Sequence, residues 1–129
     1  MIREAYVSFE TARLLKEKGF DETCYSCYEY FKSAITMYQG WSFEYKGEVV
    51  QNSNDVISAP TQQMVMRWLR EVYNLYIVVN IEKLDGGGHY FYYEIKNNEG
   101  KTIVDMITRS TAYEDVVEVA IKYCLKNLI

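Results

Sequence analysis

A chain of 129 residues with 49 % hydrophobic and 25 % charged side chains is one ordinary globular domain in size and balance, long enough to bury a core. Its net charge of −4 divides into 6 basic and 9 acidic side chains over residues 1–59 and 8 and 9 over residues 60–129. Neither half therefore carries the positive field that phosphate binding uses. No apolar run reaches bilayer length. Three cysteines, an odd number, behind a start that does not read as a signal peptide point to a reducing cytoplasm.

Residues 1–6 are short and mixed, suited to a frayed end or a first edge strand. Ser8 caps a helix with Phe9, Ala12 and Leu15 on its apolar side. Glu10 lies in the first turn and Lys16 and Lys18 in the last, each at the favourable pole of the helix dipole. Gly19 supplies a left-handed C′ residue, with Phe20 as its hydrophobic partner. In residues 24–54, CYSCYEYF reads as a strand with Tyr25, Cys27 and Glu29 on one face and Tyr28 and Tyr30 on the other. Gly40 and Gly47 bracket residues 41–46, one arm of a hairpin whose second arm is Glu48–Gln51. Residues 52–55 form a polar turn into the next helix.

The stretch 58–82 changes period within one turn. Pro60 suits a first helical turn, with Ser58 or Thr61 as cap. Met64, Val65, Trp68, Leu69 and Val72 follow at helical spacing, opposite Gln63, Arg67, Arg70 and Glu71. From Leu75 the period is two: Leu75, Ile77, Val79 and Ile81 on one face, Tyr76, Val78, Asn80 and Glu82 on the other. This helix and strand can enclose Trp68, and the rest of the chain is expected to pack around them.

Asp85-Gly86-Gly87-Gly88 then turns the chain into residues 90–96. Matching faces require a pairing such as Glu82 with Tyr90 or Glu82 with Tyr92, each leaving a three-residue loop. Residues 97–100 are a second turn and residues 102–107 a third strand. A last helix opens on a capping box of Thr111 and Glu114 and carries Tyr113, Val117, Ala120, Cys124 and Leu128 on one face. Val116 and Ile121 widen that face. The whole is expected to be a single α+β domain over residues 1–129, three helices packed on antiparallel sheet, with residues 60–129 in αβββα order.

Chemistry is harder to place. Cys24 and Cys27 form a C-x-x-C, but a zinc site needs four ligands and only Cys124 and His89 remain to complete one. The pair is not clearly at a helix N-terminus, where redox dithiols sit. Cys124 fits a buried stripe, and Cys24 and Cys27 are expected to be thiols without metal. His89, the single histidine, follows the glycine run with Asp85 nearby, a conceivable general base, although its parity puts it on the buried side. The glycine run joins two strands, whereas phosphate loops join a strand to a helix. No catalytic, cofactor or metal residue is nominated.

The αβββα order matches that of double-stranded RNA-binding domains, a likeness of fold alone. Such domains need basic residues where the last helix begins, and this chain has Glu114, Asp115 and Glu118 there. Nucleic acid is the disfavoured partner.

The most suggestive surface comes from the 13 tyrosines. Tyr76, Tyr90 and Tyr92 share the open parity of the three-stranded meander. There they are either covered by residues 1–59 or form an aromatic patch of low charge for a protein partner or for self-association.

Three blocks carry a resemblance: EAYVSFETARLLKEKGFDE at 4–22, SAPTQQMVMRWLREVYNLYIVV at 58–79 and AYEDVVEVAIKYCLKNLI at 112–129. Together they resemble a family of short uncharacterised proteins of Bacteroides-group gut bacteria and their phages and prophages. The resemblance implies an intracellular, mobile-element setting, and the leading expectation beside it is a non-enzymatic accessory protein acting through protein–protein contact. The resemblance supplies no activity, cofactor or site residue.

Overall fold

The computed structural model describes residues 2–31, 33–39, 45–46, 48–51 and 54–129. The chain is α+β, with three α-helices and antiparallel sheets among the described residues. It folds as two compact units, residues 1–61 and 62–129.

In the first unit, helix α1 (Phe9–Glu17) is bounded as its sequence predicts. The Ser8 hydroxyl accepts from the Thr11 N–H at 3.2 Å. At the other end Gly19 has φ +84°, and the N–H groups of Gly19 and Phe20 return to the carbonyls of Lys16 and Leu15. That pair of bonds is a Schellman cap, and Phe20 is buried beside it. Strands β1 (Thr23–Cys24), β2 (Ser26–Phe31), β3 (Ala34–Gln39), β4 (Tyr45–Lys46), β5 (Glu48–Gln51) and β6 (Asn54–Ser58) form two sheets, β1-β4 and β3-β2-β6-β5. Val7, Ala12, Leu15, Phe20, Cys24, Cys27, Val56, Ile57 and Ala59 are among the unit's buried apolar residues.

Two hairpins do occupy the middle of this unit, but from other pieces than the glycines suggest. β2 pairs with β3, from Ser26–Gln39 to Phe31–Ala34, and Ser33 takes φ +65° at the turn. β5 pairs with β6, and of the arm expected at residues 41–46, residues 41–44 lie outside the described residues. Tyr45 and Lys46 pair instead with Cys24 and Thr23. Asn54 and Asp55, expected in a polar turn, are strand residues, while 52–53 lie outside the described set. Ser58 is thereby a buried strand residue opposite Cys27 and does not cap the next helix.

The second unit has the αβββα order: α2 (Gln62–Tyr73), β7 (Tyr76–Lys83), β8 (His89–Lys96), β9 (Thr102–Ser110) and α3 (Tyr113–Tyr123). A π-helical turn, Cys124–Leu128, extends α3. Its sheet runs β7-β8-β9. Val65, Met66, Trp68 and Leu69 of α2 are buried, and so are Val116, Val117, Ala120, Ile121, Cys124 and Leu125 of the last helical segment. Tyr93 and Ile95, on the central strand, are fully buried. Val72 continues the α2 period, yet it is 54 % exposed because it falls in the last turn before the chain leaves for β7. Asn74 makes that departure: its φ is +56°, and its N–H bonds the Arg70 carbonyl at 3.2 Å. Asn tolerates the left-handed region better than most side chains, so the helix can end and the strand begin within two residues.

The β7–β8 register is one of the two that parity allows, with Glu82 opposite Tyr90. The Leu84 N–H closes the loop on the Gly88 carbonyl at 3.0 Å, and Gly86, Gly87 and Gly88 all have positive φ. The β8–β9 ladder is irregular, with shifts between Phe91 and Tyr93 and between Ile95 and Lys96. Extra residues taken up in these bulges carry β9 to Ser110, three positions beyond the expected end. The predicted capping box of Thr111 and Glu114 does not form. Ala112 is the N-cap, and its N–H is satisfied by the Ser110 hydroxyl at 3.1 Å. Gln62 instead ties α2 to the last helix: its side-chain nitrogen donates to the Glu114 carbonyl at 2.9 Å and to Glu118 Oε2 at 3.2 Å.

Two substitutions test this core. Trp68 is buried with its ring edge-on to Tyr73, centroids 5.1 Å apart. Trp68→Ala should cost about 3–5 kcal/mol and lower the melting temperature by roughly 10 °C or more. A melting temperature within a degree or two of the parent would remove this helix from the centre of the fold. Tyr93 is the opposite case, since its buried hydroxyl has no hydrogen-bond partner among the described residues. Tyr93→Phe should leave stability unchanged or raise it by up to about 1 kcal/mol in chemical denaturation, as it removes a desolvated donor. A loss larger than that would reveal a partner for the hydroxyl.

Candidate functional site

The register that buries Tyr93 and Ile95 sends the alternate residues to the other face. On that face Tyr76 stands opposite Lys96, Val78 opposite Glu94, Asn80 opposite Tyr92 and Glu82 opposite Tyr90. Tyr90 and Tyr92 are neighbours, with ring centroids 6.1 Å apart. Tyr76 is on the same face but at the other end of β7. It lies four positions from Asn80, about 13 Å at strand rise, so it is not part of one cluster with the other two.

Polar contacts fix the Tyr90–Tyr92 end. The Tyr90 hydroxyl donates to Glu82 Oε2 at 2.9 Å, and the Arg109 guanidinium carbon lies 4.7 Å from the Tyr90 ring centroid. The bond to Glu82 stabilises the protonated phenol and, with some desolvation, raises its pKa above the usual range, against the opposing charge of Arg109. Tyr90 is thus a hydrogen-bond donor at neutral pH and not a base. Glu82, Tyr90, Tyr92, Asp105 and Arg109 line an open cleft of about 220 Å³. Further along the face, Asn80 donates to Glu94 Oε1 at 3.3 Å and Lys96 Nζ lies 3.8 Å from Glu94 Oε2. The face is aromatic but more charged than the tyrosines alone suggest. Arg109 escapes a reading that ends β9 at residue 107. The signal that could have found Arg109 is its two-residue spacing from Ile107, which continues the strand period.

The other candidates separate. Cys24, Cys27 and Cys124 are buried thiols, none of them in a disulfide. Burial pushes the Cys24 thiol up to about 11, although a bond with Ser58 opposes the shift, and pushes Cys124 up to about 12. Both are the reverse of the lowered pKa that makes a thiol reactive. Among the described residues no three His, Cys, Asp or Glu side chains are grouped to hold a metal ion. His89 is exposed, contrary to the side its parity predicts. It keeps the parity, edge-on to Phe91 at 5.3 Å, but the hairpin end overhangs the helical cover, and Ile81 beside it is 63 % exposed. Glu114 and Asp115 occupy the first turn of α3. On α2, Arg67 is engaged with Glu71 at 2.9 Å. No helix among the described residues is long and apolar enough to cross a membrane.

Cys24 and Cys124 set a pH dependence. Each has a folded pKa above its ordinary value of 9.0, so its contribution to stability is complete below about pH 9. Above that the unfolded chain ionises first, and stability should fall by about 1.4 kcal/mol per pH unit per thiol until the folded values are passed. Urea midpoints between pH 8 and 11 measure this, and a Cys24→Ala/Cys124→Ala variant should show a shallower slope. Ellman titration should find the thiols protected in the native protein and three reactive after denaturation. Rapid native reaction of Cys24 or Cys124 would contradict the burial.

Against this geometry stands a plain result: no protein-family model, no curated protein and no solved structure matches the chain.

Proposed function

We propose that this protein is a non-enzymatic accessory protein that works by protein–protein contact through the open face of the β7–β8–β9 sheet. The observation that carries the reading is the Tyr90–Tyr92 pair, in which Tyr90 is held by Glu82 and lies under Arg109. Tyrosine and arginine dominate the energetics of protein interfaces, because they offer large contact area and several donors at modest entropic cost. Here they stand on paired strands, so little ordering is left for the moment of binding. The Arg109 donors suit a carboxylate or carbonyl of the partner, and the ring faces suit its apolar side chains.

Nucleic acid fits less well. Stacking of single strands works beside a positive groove, whereas Arg109 stands here with Glu82 and Asp105. The phage or prophage setting is part of the same proposal and rests on the resemblance of the three sequence blocks.

A Tyr90→Ser/Tyr92→Ser/Arg109→Ala variant tests the face, with Tyr76→Ser as a control on the same face but away from the cleft. In site-specific photo-crosslinking from an analogue placed at Asp105 in cells, the parent should give a discrete protein adduct. The triple variant should lose it while keeping the parental circular dichroism spectrum, and Tyr76→Ser should retain it. Affinity for the identified partner should fall at least about thirtyfold, equivalent to about 2 kcal/mol. An adduct equally strong in the folded triple variant would reject this face.

A further inference from the structure

The outer edge of β7 is a row of hydrogen-bonding groups with no partner among the described residues. The Leu84 N–H bonds the Gly88 carbonyl, so Leu84 faces β8, and the strand alternation then turns Tyr76, Val78, Asn80 and Glu82 toward β8 as well. The N–H and C=O groups of Ile77, Val79, Ile81 and Lys83 point the other way. β7 is an end strand of its sheet, and no described residue hydrogen-bonds to these outward groups.

Edges of this kind are usually blunted by bulges, prolines or charges. The opposite edge, β9, has two register irregularities and carries Asp105 and Arg109. β7 has an unbroken eight-residue register, no proline and no positive φ, and its charges are confined to Glu82 and Lys83 at one end. The side chains agree with the backbone. Ile95 and Tyr93 on the central strand are fully buried, while their cross-strand neighbours Ile77 and Val79 are half-buried and Ile81 is 63 % exposed. The apolar layer thus stops short at β7 with an unfilled flank.

We infer that β7 pairs antiparallel with β7 of a second copy of this chain, on a two-fold axis at Val79. This pairing sets Val79 against Val79 and Ile77 against Ile81 of the other copy, using the outward groups of all three residues in about six hydrogen bonds. On the open face it sets Tyr76 beside Glu82 of the other copy, a donor beside an acceptor, and Val78 beside Asn80. No like charges meet. A shift by two residues in one direction places Lys83 on Ile77. In the other direction it calls on Leu75, whose N–H is already bound to the Leu69 carbonyl at 3.1 Å. The self-complementary pattern is what favours a second copy over an unrelated extended peptide. Tyr90, Tyr92 and Arg109 take no part, so this inference stands or falls apart from the open-face proposal.

Sedimentation equilibrium of the full chain at micromolar concentration decides it. The parent should have twice the monomer mass. Val79→Pro removes an outward N–H without touching the bonds to β8, and Ile81→Lys puts a charge on the exposed flank. Each should halve the mass, with the monomer's circular dichroism spectrum unchanged. Hydrogen exchange gives a second reading: the amides of Ile77, Val79 and Ile81 should be protected in the parent and exchange faster in Ile81→Lys, while those of Val78 and Asn80 stay protected in both. A monomeric parent, or a dimer that survives Val79→Pro and Ile81→Lys together, overturns the inference.

Discussion

The pairing of Glu82 with Tyr90 is the constraint on which the second unit depends. Side chains alternate across a sheet, so a slip of one residue would move Tyr93 and Ile95 out of the core and drive Tyr92 and Glu94 into it. The glycine run prevents that slip. Leu84 and Gly88 can close a three-residue loop only if the intervening backbone accepts positive φ, which Gly86 and Gly87 do without cost. The aromatic face and the core are two consequences of one register.

The helices are attached to that sheet by short, local devices. Asn74 ends α2 in a left-handed conformation and lets β7 begin two residues later at Tyr76, which keeps the buried face of α2 and the strand it leads into close together. At the start of α2, the buried Gln62 donates to the backbone carbonyl of Glu114 and to the Glu118 carboxylate. A buried amide is tolerable only when its donors are used, and here they join two helices that are far apart in sequence. Tyr93 is the exception to this economy. Its hydroxyl is buried beside the last helical segment, where Tyr123 and Cys124 contribute to raising its pKa after desolvation.

The side chains of the open face are held by one another. Glu82 orients the Tyr90 hydroxyl, Arg109 covers its ring, and Asn80, Glu94 and Lys96 hold one another farther along. Each contact is exposed or half-exposed, so its contribution to stability is small. Together they reduce the number of rotamers available to the aromatic pair, which is the property that lowers the entropic cost of binding. Cys24 and Cys124 have the reverse character: they are enclosed, and burial favours their protonated form.

Local signals are enough for much of this molecule. The Ser8 and Gly19 caps, the apolar stripes of α2 and α3, the change of period at Leu75 and the permitted registers of the glycine hairpin all follow from interactions within a few residues, and each is legible in the linear chain. Tyr90 and Tyr92 are legible as a pair for the same reason, since parity alone puts them on one face. Parity carries no distance, however; it is the register, with Tyr76 opposite Lys96, that puts Tyr76 at the far end of β7. Pairings within residues 23–58 are decided by tertiary structure: β5 takes β6 as its neighbour and β4 takes β1, choices that several short strands of similar propensity leave open. The bulges of β9 are equally hidden, because an extra residue leaves no mark in an alternating pattern. They determine that the strand reaches Arg109, that the Ser110 hydroxyl meets the N–H of Ala112 ahead of α3, and that a cation lies over Tyr90. Sequence periodicity reports which side of an element faces the core; only the assembled ladder decides which residues of two distant strands meet.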